Sequence, residues 1–131
     1  MASGNPANVY VAVVDDDESL LRSLARLLRA AGMQPITYSS AEAFRADVKR
    51  PRFDCLVLDV QLPGMSGIDL RNQLAAEGAV APIFFVTAHD DPQARASAMA
   101  GPCAGYFRKT DAGSEILDAI RRAVVPTAAA T

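Results

Sequence analysis

The chain has little of what marks several large classes of protein. Only two of its 131 residues are cysteine. Cys55 and Cys103 are too far apart for a redox CxxC pair and too few for a zinc ligand set, so both are expected as reduced thiols of a cytoplasmic protein. Apolar runs stop well short of the ~18 residues that suggest a membrane-spanning helix, and the stretch from Met1 to Asn8 is polar, with no apolar signal core. Base is not in excess either: 13 Lys and Arg stand against 15 Asp and Glu, a net charge of −2. Without a basic stripe to meet a phosphate backbone, direct binding of nucleic acid by this segment is set aside, and so is a membrane.

What is present is an alternation of apolar runs and helical stripes. Half of the residues are apolar and about a fifth charged, which suits one soluble domain, expected over residues 9–124 between a disordered start (1–8) and a flexible Ala/Thr tail (125–131). Val9-Tyr10-Val11-Ala12-Val13-Val14 reads as a strand buried on both faces, as does the run from Cys55 to Leu58. Pro82-Ile83-Phe84-Phe85-Val86-Thr87 is a third such run, while Pro35 to Tyr38 and Gly105 to Arg108 are shorter and more polar. Between them, Leu20, Leu21, Leu24, Leu27, Leu28 and Ala31 mark a helix that Asp17 or Ser19 can cap and Gly32 can stop. Ser39 with Glu42 reads as a capping box opening a helix through Phe44 and Val48. Ile68, Leu70, Leu74 and Ala75 mark a third helix closing near Gly78. Pro92 suits the first turn of a fourth, which ends by Gly101-Pro102 and carries mostly small side chains. Its grip on the sheet should be loose. Ile116, Leu117, Ile120 and Val124 mark the last.

Five strands alternating with helices predict an α/β fold with a parallel sheet covered on both faces. The three most apolar strands belong at the centre and the two polar ones at the edges. That is the flavodoxin-like (βα)5, doubly wound order 2-1-3-4-5, whose crevice lies at the carboxyl ends of strands one and three. The residues ending the strong strands are Asp15 and Asp16, Asp59, Thr87 and Lys109, all on that one rim. Like charges a few ångströms apart recruit a cation, and a hard-oxygen cluster with few ligands suits Mg²⁺, with Mn²⁺ as a substitute. A phosphoryl group could then sit over Asp59 between the cation, the Lys109 ammonium and the Thr87 hydroxyl. Asp59 would be the nucleophile, forming an aspartyl phosphate.

Val13-Val14-Asp15-Asp16, Leu58-Asp59 with Leu62-Pro63-Gly64-Met65-Ser66-Gly67, Val86-Thr87-Ala88 and Tyr106-Phe107-Arg108-Lys109 together resemble the receiver domain of two-component response regulators. Tyr38-Ser39-Ser40-Ala41-Glu42 and Thr87-Ala88-His89-Asp90-Asp91 bring the resemblance nearest to receivers of LuxR-type and FixJ-type regulators. It implies that Asp59 is phosphorylated by a sensor histidine kinase or a phosphotransfer protein. Asp16, Asp59 and the backbone carbonyl of Gln61 would hold Mg²⁺, with Asp15 reaching it through water. Thr87 and Lys109 would contact the phosphoryl group, Tyr106 would be the aromatic switch, and Gln61 and His89 would tune its lifetime. The surface of the fourth helix, fifth strand and fifth helix would meet a downstream protein, an appended output domain or a second copy.

One position departs from the pattern. The family has Pro after this Lys, with a cis peptide bond, and here Thr110 follows Lys109. A cis bond before a residue other than Pro costs about 2.5–4 kcal/mol, so either a strained bond is held or the bond is trans and Lys109 enters by a different route. Hence a receiver-like scaffold with impaired phosphorylation is a competing expectation, as is the receiver part of a longer DNA-binding regulator. A phosphatase of the haloacid dehalogenase kind would need a second Asp two residues beyond the nucleophile, where Gln61 stands. A nucleotide-binding flavodoxin relative would need a glycine-rich loop after the first strand, and none is there. Taken singly, Lys109 is a solvated lysine, Tyr106 an edge-strand packing residue, His89 a loop histidine, and Met65 and Met99 packing residues. Only their combination points to chemistry.

Overall fold

The two apolar strands that each run into acid lie side by side at the centre of the computed structural model, which describes residues 9–111 and 113–124. In chain order the elements are β1 (Tyr10–Val14), α1 (Glu18–Ala30), β2 (Gln34–Tyr38), α2 (Ala41–Ala46), β3 (Cys55–Asp59), α3 (Gly67–Ala76), β4 (Ile83–Thr87), α4 (Pro92–Met99), β5 (Gly105–Arg108) and α5 (Gly113–Val124). All pairings are parallel and the order is β2-β1-β3-β4-β5, as expected from the apolar content of the strands. The expected disordered start and tail lie outside the described residues. Among those described, no helix is long and apolar enough to cross a membrane.

Alternate residues of each strand feed opposite faces of the sheet, which splits the core in two. Ala12, Val14, Leu56, Leu58 and Phe85 pack with Phe44, Leu70, Leu74, Ala94 and Ala98 of α2, α3 and α4. Val11, Val13, Val57, Phe84 and Val86 pack with Leu21, Leu24 and Leu28 of α1 and Ile116, Leu117 and Ile120 of α5. Each Val, Leu, Ile or Phe among them, fully buried, contributes about 1.5–3 kcal/mol, and the alanines less. Both faces being covered, β3 and β4 have no polar side until their last residues, Asp59 and Thr87.

The helix ends follow local chemistry, with three corrections to the sequence expectation. Asp17 caps α1 by accepting the N–H groups of Ser19 and Leu20, and Gly32, at φ +86°, turns the chain out of it. The cap of α2 is Ser40, not Ser39: its hydroxyl accepts the Ala43 N–H at 2.9 Å, so Glu42 is one place too early for a capping box. Glu42 reaches instead to the loop after β3. The same helix stops at Ala46, before Val48, which is exposed. Asp47 there accepts the Tyr38 hydroxyl at 2.7 Å, and Arg50 donates to the carbonyl oxygens of Phe44 and Asp47, so the terminal carbonyls are satisfied without another turn. Third, Met99 is half exposed rather than packed. The reciprocal capping box occurs at α3, between Ser66 and Asp69.

Arg71 was not anticipated at all. It lies in α3 on the stripe Gly67, Leu70, Arg71, Leu74 and is 1% exposed. Its guanidinium donates to the carbonyl oxygens of Ser97 (2.9 Å), Ala98 (2.7 Å) and Pro102 (2.9 Å) and packs over the Phe85 ring. Ser97 and Ala98 offer the carbonyls that the C-terminus of α4 leaves unpaired, where positive charge is also favoured, and Pro102 lies in the connection to β5.

Candidate functional site

At the carboxyl rim of the sheet the expected residues do converge. Asp15 and Asp16 follow β1 directly and Asp59 ends β3, its neighbour in the sheet. One carboxylate oxygen from each can be chosen so that all lie within 4.8 Å of one another. Lys109, one residue past β5, crosses the rim to reach them: its Nζ donates to Asp15 Oδ1 at 2.9 Å and to Asp59 Oδ2 at 3.0 Å. It does so along a trans chain, since no cis peptide bond occurs among the described residues. Of the two routes left open by Thr110, the second is therefore the one taken. The Lys109 N–H also donates to the Thr87 carbonyl at 2.9 Å, which anchors the residue to β4 before its side chain turns inward.

Charge in this hollow is unbalanced. Asp15 and Asp59 are buried while Asp16 is exposed, and one ammonium faces three carboxylates. Burial pushes the Asp15 carboxyl up to about 6, against the pull of the Asp17 N–H and of Lys109, and the charge of Asp59 adds to the rise. For Lys109, burial acts to lower its pKa, yet its hydrogen bonds and charge contacts with Asp15 and Asp59 hold it above the ordinary lysine range. Asp15 Oδ1 accepts both the Asp17 N–H and Lys109, whereas Oδ2 is buried with no partner. A cation would give the orphaned Asp15 oxygen a partner, and this all-oxygen set fits Mg²⁺.

The loop beyond β3 is held from two sides. Gln61 donates its N–H to Asp59 Oδ1 at 3.1 Å. Glu42 of α2 accepts the Met65 N–H at 2.7 Å, which keeps its carboxyl below the usual range, and Gly64, at φ +74°, leaves room for that carboxylate. Any Cβ at Gly67 would collide with the Asp59 carbonyl oxygen, so α3 can begin hard against the phosphoacceptor candidate only with glycine there.

Thr87 is buried at the end of β4, where Val86 pairs with Asp59. Its hydroxyl is engaged away from the carboxylates, donating to the His89 carbonyl and accepting the His89 N–H, both at 3.0 Å. His89 itself is exposed in that loop. Tyr106 is half-buried in β5 under the Arg95 guanidinium, 4.5 Å above its ring, and its hydroxyl is buried without a hydrogen-bond partner. Burial first, then the charge of Asp90, raises its pKa. Contacts missed from the sequence are those of Glu42 with the loop and of Arg95 with Tyr106. Each joins residues on different elements, so no local pattern announces it.

A doubly wound α/β sheet with acid and base gathered at its switch point defines a domain that binds its ligand in the crevice between strands one and three. The comparisons with known proteins narrow this class. The family model for the response regulator receiver domain matches residues 11–121, and the chain belongs to that family. Among relatives, the response regulator protein TodT of Pseudomonas putida is 38% identical over 112 residues, 86% of this chain and 49% of that protein. The transcriptional regulatory protein FixJ of Azorhizobium caulinodans is 36% identical over 117 residues, 88% of this chain and 55% of that one. A crystal structure of FixJ-N superposes with a TM-score of 0.80 at 32% identity, covering 89% of this chain and 94% of its own. A receiver protein from Burkholderia phymatum gives 0.74 at 36%, covering 92% and 100%. The chain spans about half the length of the curated relatives it matches. As a receiver domain of response regulators, it is a phosphorelay signalling module.

Proposed function

We propose that Asp59 accepts a phosphoryl group from the phosphohistidine of a sensor histidine kinase or a phosphotransfer protein. A carboxylate oxygen of Asp59 attacks phosphorus as the P–N bond breaks, the bonding pair stays with the imidazole nitrogen, and that nitrogen takes a proton. Asp16, Asp59 and the Gln61 carbonyl are the residues to hold Mg²⁺ or Mn²⁺, with Asp15 acting through water; bound there, the cation supplies neutralisation of the transferring oxygens. Lys109 releases one of its two carboxylate contacts to a phosphoryl oxygen. Thr87 turns from His89 to another, and the space it leaves admits Tyr106. Gln61 and His89 flank the path of an attacking water and tune how long the phosphoryl group stays.

The face made by α4, β5 and α5 then changes its affinity for a downstream protein, an output domain in a longer chain, or a second copy of the domain. The receiver unit spans residues 9–124 in this reading, acting as a self-modifying switch in the cytoplasm rather than as an enzyme with turnover. What supports this most directly is the meeting of Lys109 with Asp15 and Asp59 beside an orphaned Asp15 oxygen.

Acetyl phosphate with Mg²⁺ should add the mass of one phosphoryl group to the wild type and none to Asp59→Ala. Beryllofluoride with Mg²⁺ should shift the amide resonances around Thr87 and Tyr106. An equal response in Asp59→Ala would overturn the assignment. The scaffold alternative, which Thr110 first suggested, would show itself as Mg²⁺ binding without any phosphoryl uptake.

A further inference from the structure

The two ends of α4 are held by different means. At its C-terminal end, the Arg71 guanidinium grips the carbonyl oxygens of Ser97, Ala98 and Pro102 at 2.7–2.9 Å, while Arg71 Nε donates to Asn72 Oδ1 at 2.8 Å. Gly101 lies against the same guanidinium: a Cβ there would sit 2.8 Å from Arg71 Cζ. Arg71 forms no salt bridge among the described residues, so its donors serve this connection and its neighbour Asn72. At the N-terminal end, Asp91 caps only its own helix, accepting the Ala94 N–H at 2.7 Å. The loop before it is tied to itself, through Thr87 with His89 and the Asp91 N–H with the His89 carbonyl. Arg95 adds a contact to Asp90 at 3.3 Å and lies 4.5 Å over the Tyr106 ring of β5, with its side chain about half exposed and, among the described residues, no hydrogen bond to another strand or helix. Between the ends, α4 buries only Ala94 and Ala98.

We propose that Arg71 is a positioning residue that makes the C-terminal end of α4 a fulcrum. When the Thr87–His89 loop rearranges, α4 tilts about its Ser97–Pro102 end instead of shifting as a unit. A charge-assisted hydrogen bond in a buried setting is stronger than a neutral one, and a second and third to the same group fix its direction as well. The end of α4 next to the phosphorylation site is thus the less firmly held one, and the one that moves. This rests on the assignment of Asp59 and its loop as the switch.

The test is amide hydrogen exchange and amide NMR shifts on the full chain, with and without Mg²⁺ and beryllofluoride. In the wild type, beryllofluoride should move the amides of residues 89–95 and leave those of 98–103 in place. In Arg71→Met, exchange at 98–103 without beryllofluoride should rise roughly tenfold or more, since charged hydrogen bonds have been lost. Beryllofluoride should then perturb both ends. Arg71→Lys, which keeps a charged donor, should restore part of the protection. Gly101→Ala, which crowds the guanidinium, should spread the response as Arg71→Met does, and decides the matter should Arg71→Met fail to fold. Equal movement of both ends in the wild type, or unchanged exchange at 98–103 in Arg71→Met, overturns the fulcrum. Absence of any beryllofluoride response in the wild type would refute the phosphoacceptor assignment instead, and the exchange comparison, which needs no phosphoryl mimic, would still decide the clamp.

Discussion

The helices α1 and α4 cover opposite faces of one sheet, and they are attached to it by different physics. α1 runs for 13 residues and buries Leu21, Leu24, Ala25 and Leu28. α4 runs for 8 and buries two alanines. At about 0.8 kcal/mol per buried CH₂, the leucines of α1 outweigh the apolar grip of α4 several-fold. The hydrogen bonds of Arg71 and the seating of Arg95 over Tyr106 therefore decide where α4 rests. Burial is non-directional and holds a helix in place over a broad surface; hydrogen bonds hold points, so an element held by them can turn about one when another is released. A signalling domain has use for both, a fixed helix and one that can be re-seated.

The contrast is sharpest at the two thiols. Cys55 lies fully buried on the α1 side, its pKa pushed up to about 12 by burial and then by the charge of Asp54, while Cys103 is half-buried past the C-terminal end of α4. A thiol reagent on the native protein should label Cys103 roughly a hundredfold or more faster than Cys55, because Cys55 must wait for global opening. Peptide mass spectrometry over a time course measures this, and similar rates would erase the difference between the two faces.

Next in size is the cost of trimming each helix. Leu28→Ala in α1 should lose about 2–5 kcal/mol in urea unfolding, whereas Met99→Ala on the exposed side of α4 should stay within about 0.5 kcal/mol. A large loss at Met99 would show that α4 is packed after all. A small effect is also expected at Arg95, whose guanidinium sits over Tyr106 from an exposed position. Arg95→Ala should cost about 0.5–1 kcal/mol. It should also shift the Tyr106 ring resonances, which a loss confined to the helix surface would leave alone.

Much of this was legible in the chain itself. Strands buried on both faces are unbroken apolar runs, so the polar residue that ends each one stands out, as at Asp15, Asp59 and Thr87; Lys109, after the half-buried β5, is legible only by its place on the same rim. Helix ends were legible where the cap is local, as at Asp17 and Gly32. They were misread where two serines compete, since Ser39 and Ser40 differ only in which one the β2–α2 connection presents to the helix. Arg71 does carry a signal in the sequence: it occupies the position of an apolar stripe, four residues from Gly67 and three from Leu74. A charge on such a stripe has to find partners inside, and the sequence does not say which.

By itself, the order of apolar runs and acids determined the sheet, its central strands and the rim at which carboxylates and ammonium would gather, because those depend on burial and strand direction, which are local and periodic. The path of Lys109 to Asp15 and Asp59 over a trans bond was decided only in the folded chain. So were the seating of Glu42 on the β3–α3 loop and the grip of Arg71 on α4. Each of these is a hydrogen bond between elements distant in sequence, and such bonds form only after packing has brought donor and acceptor within about 3 Å of each other.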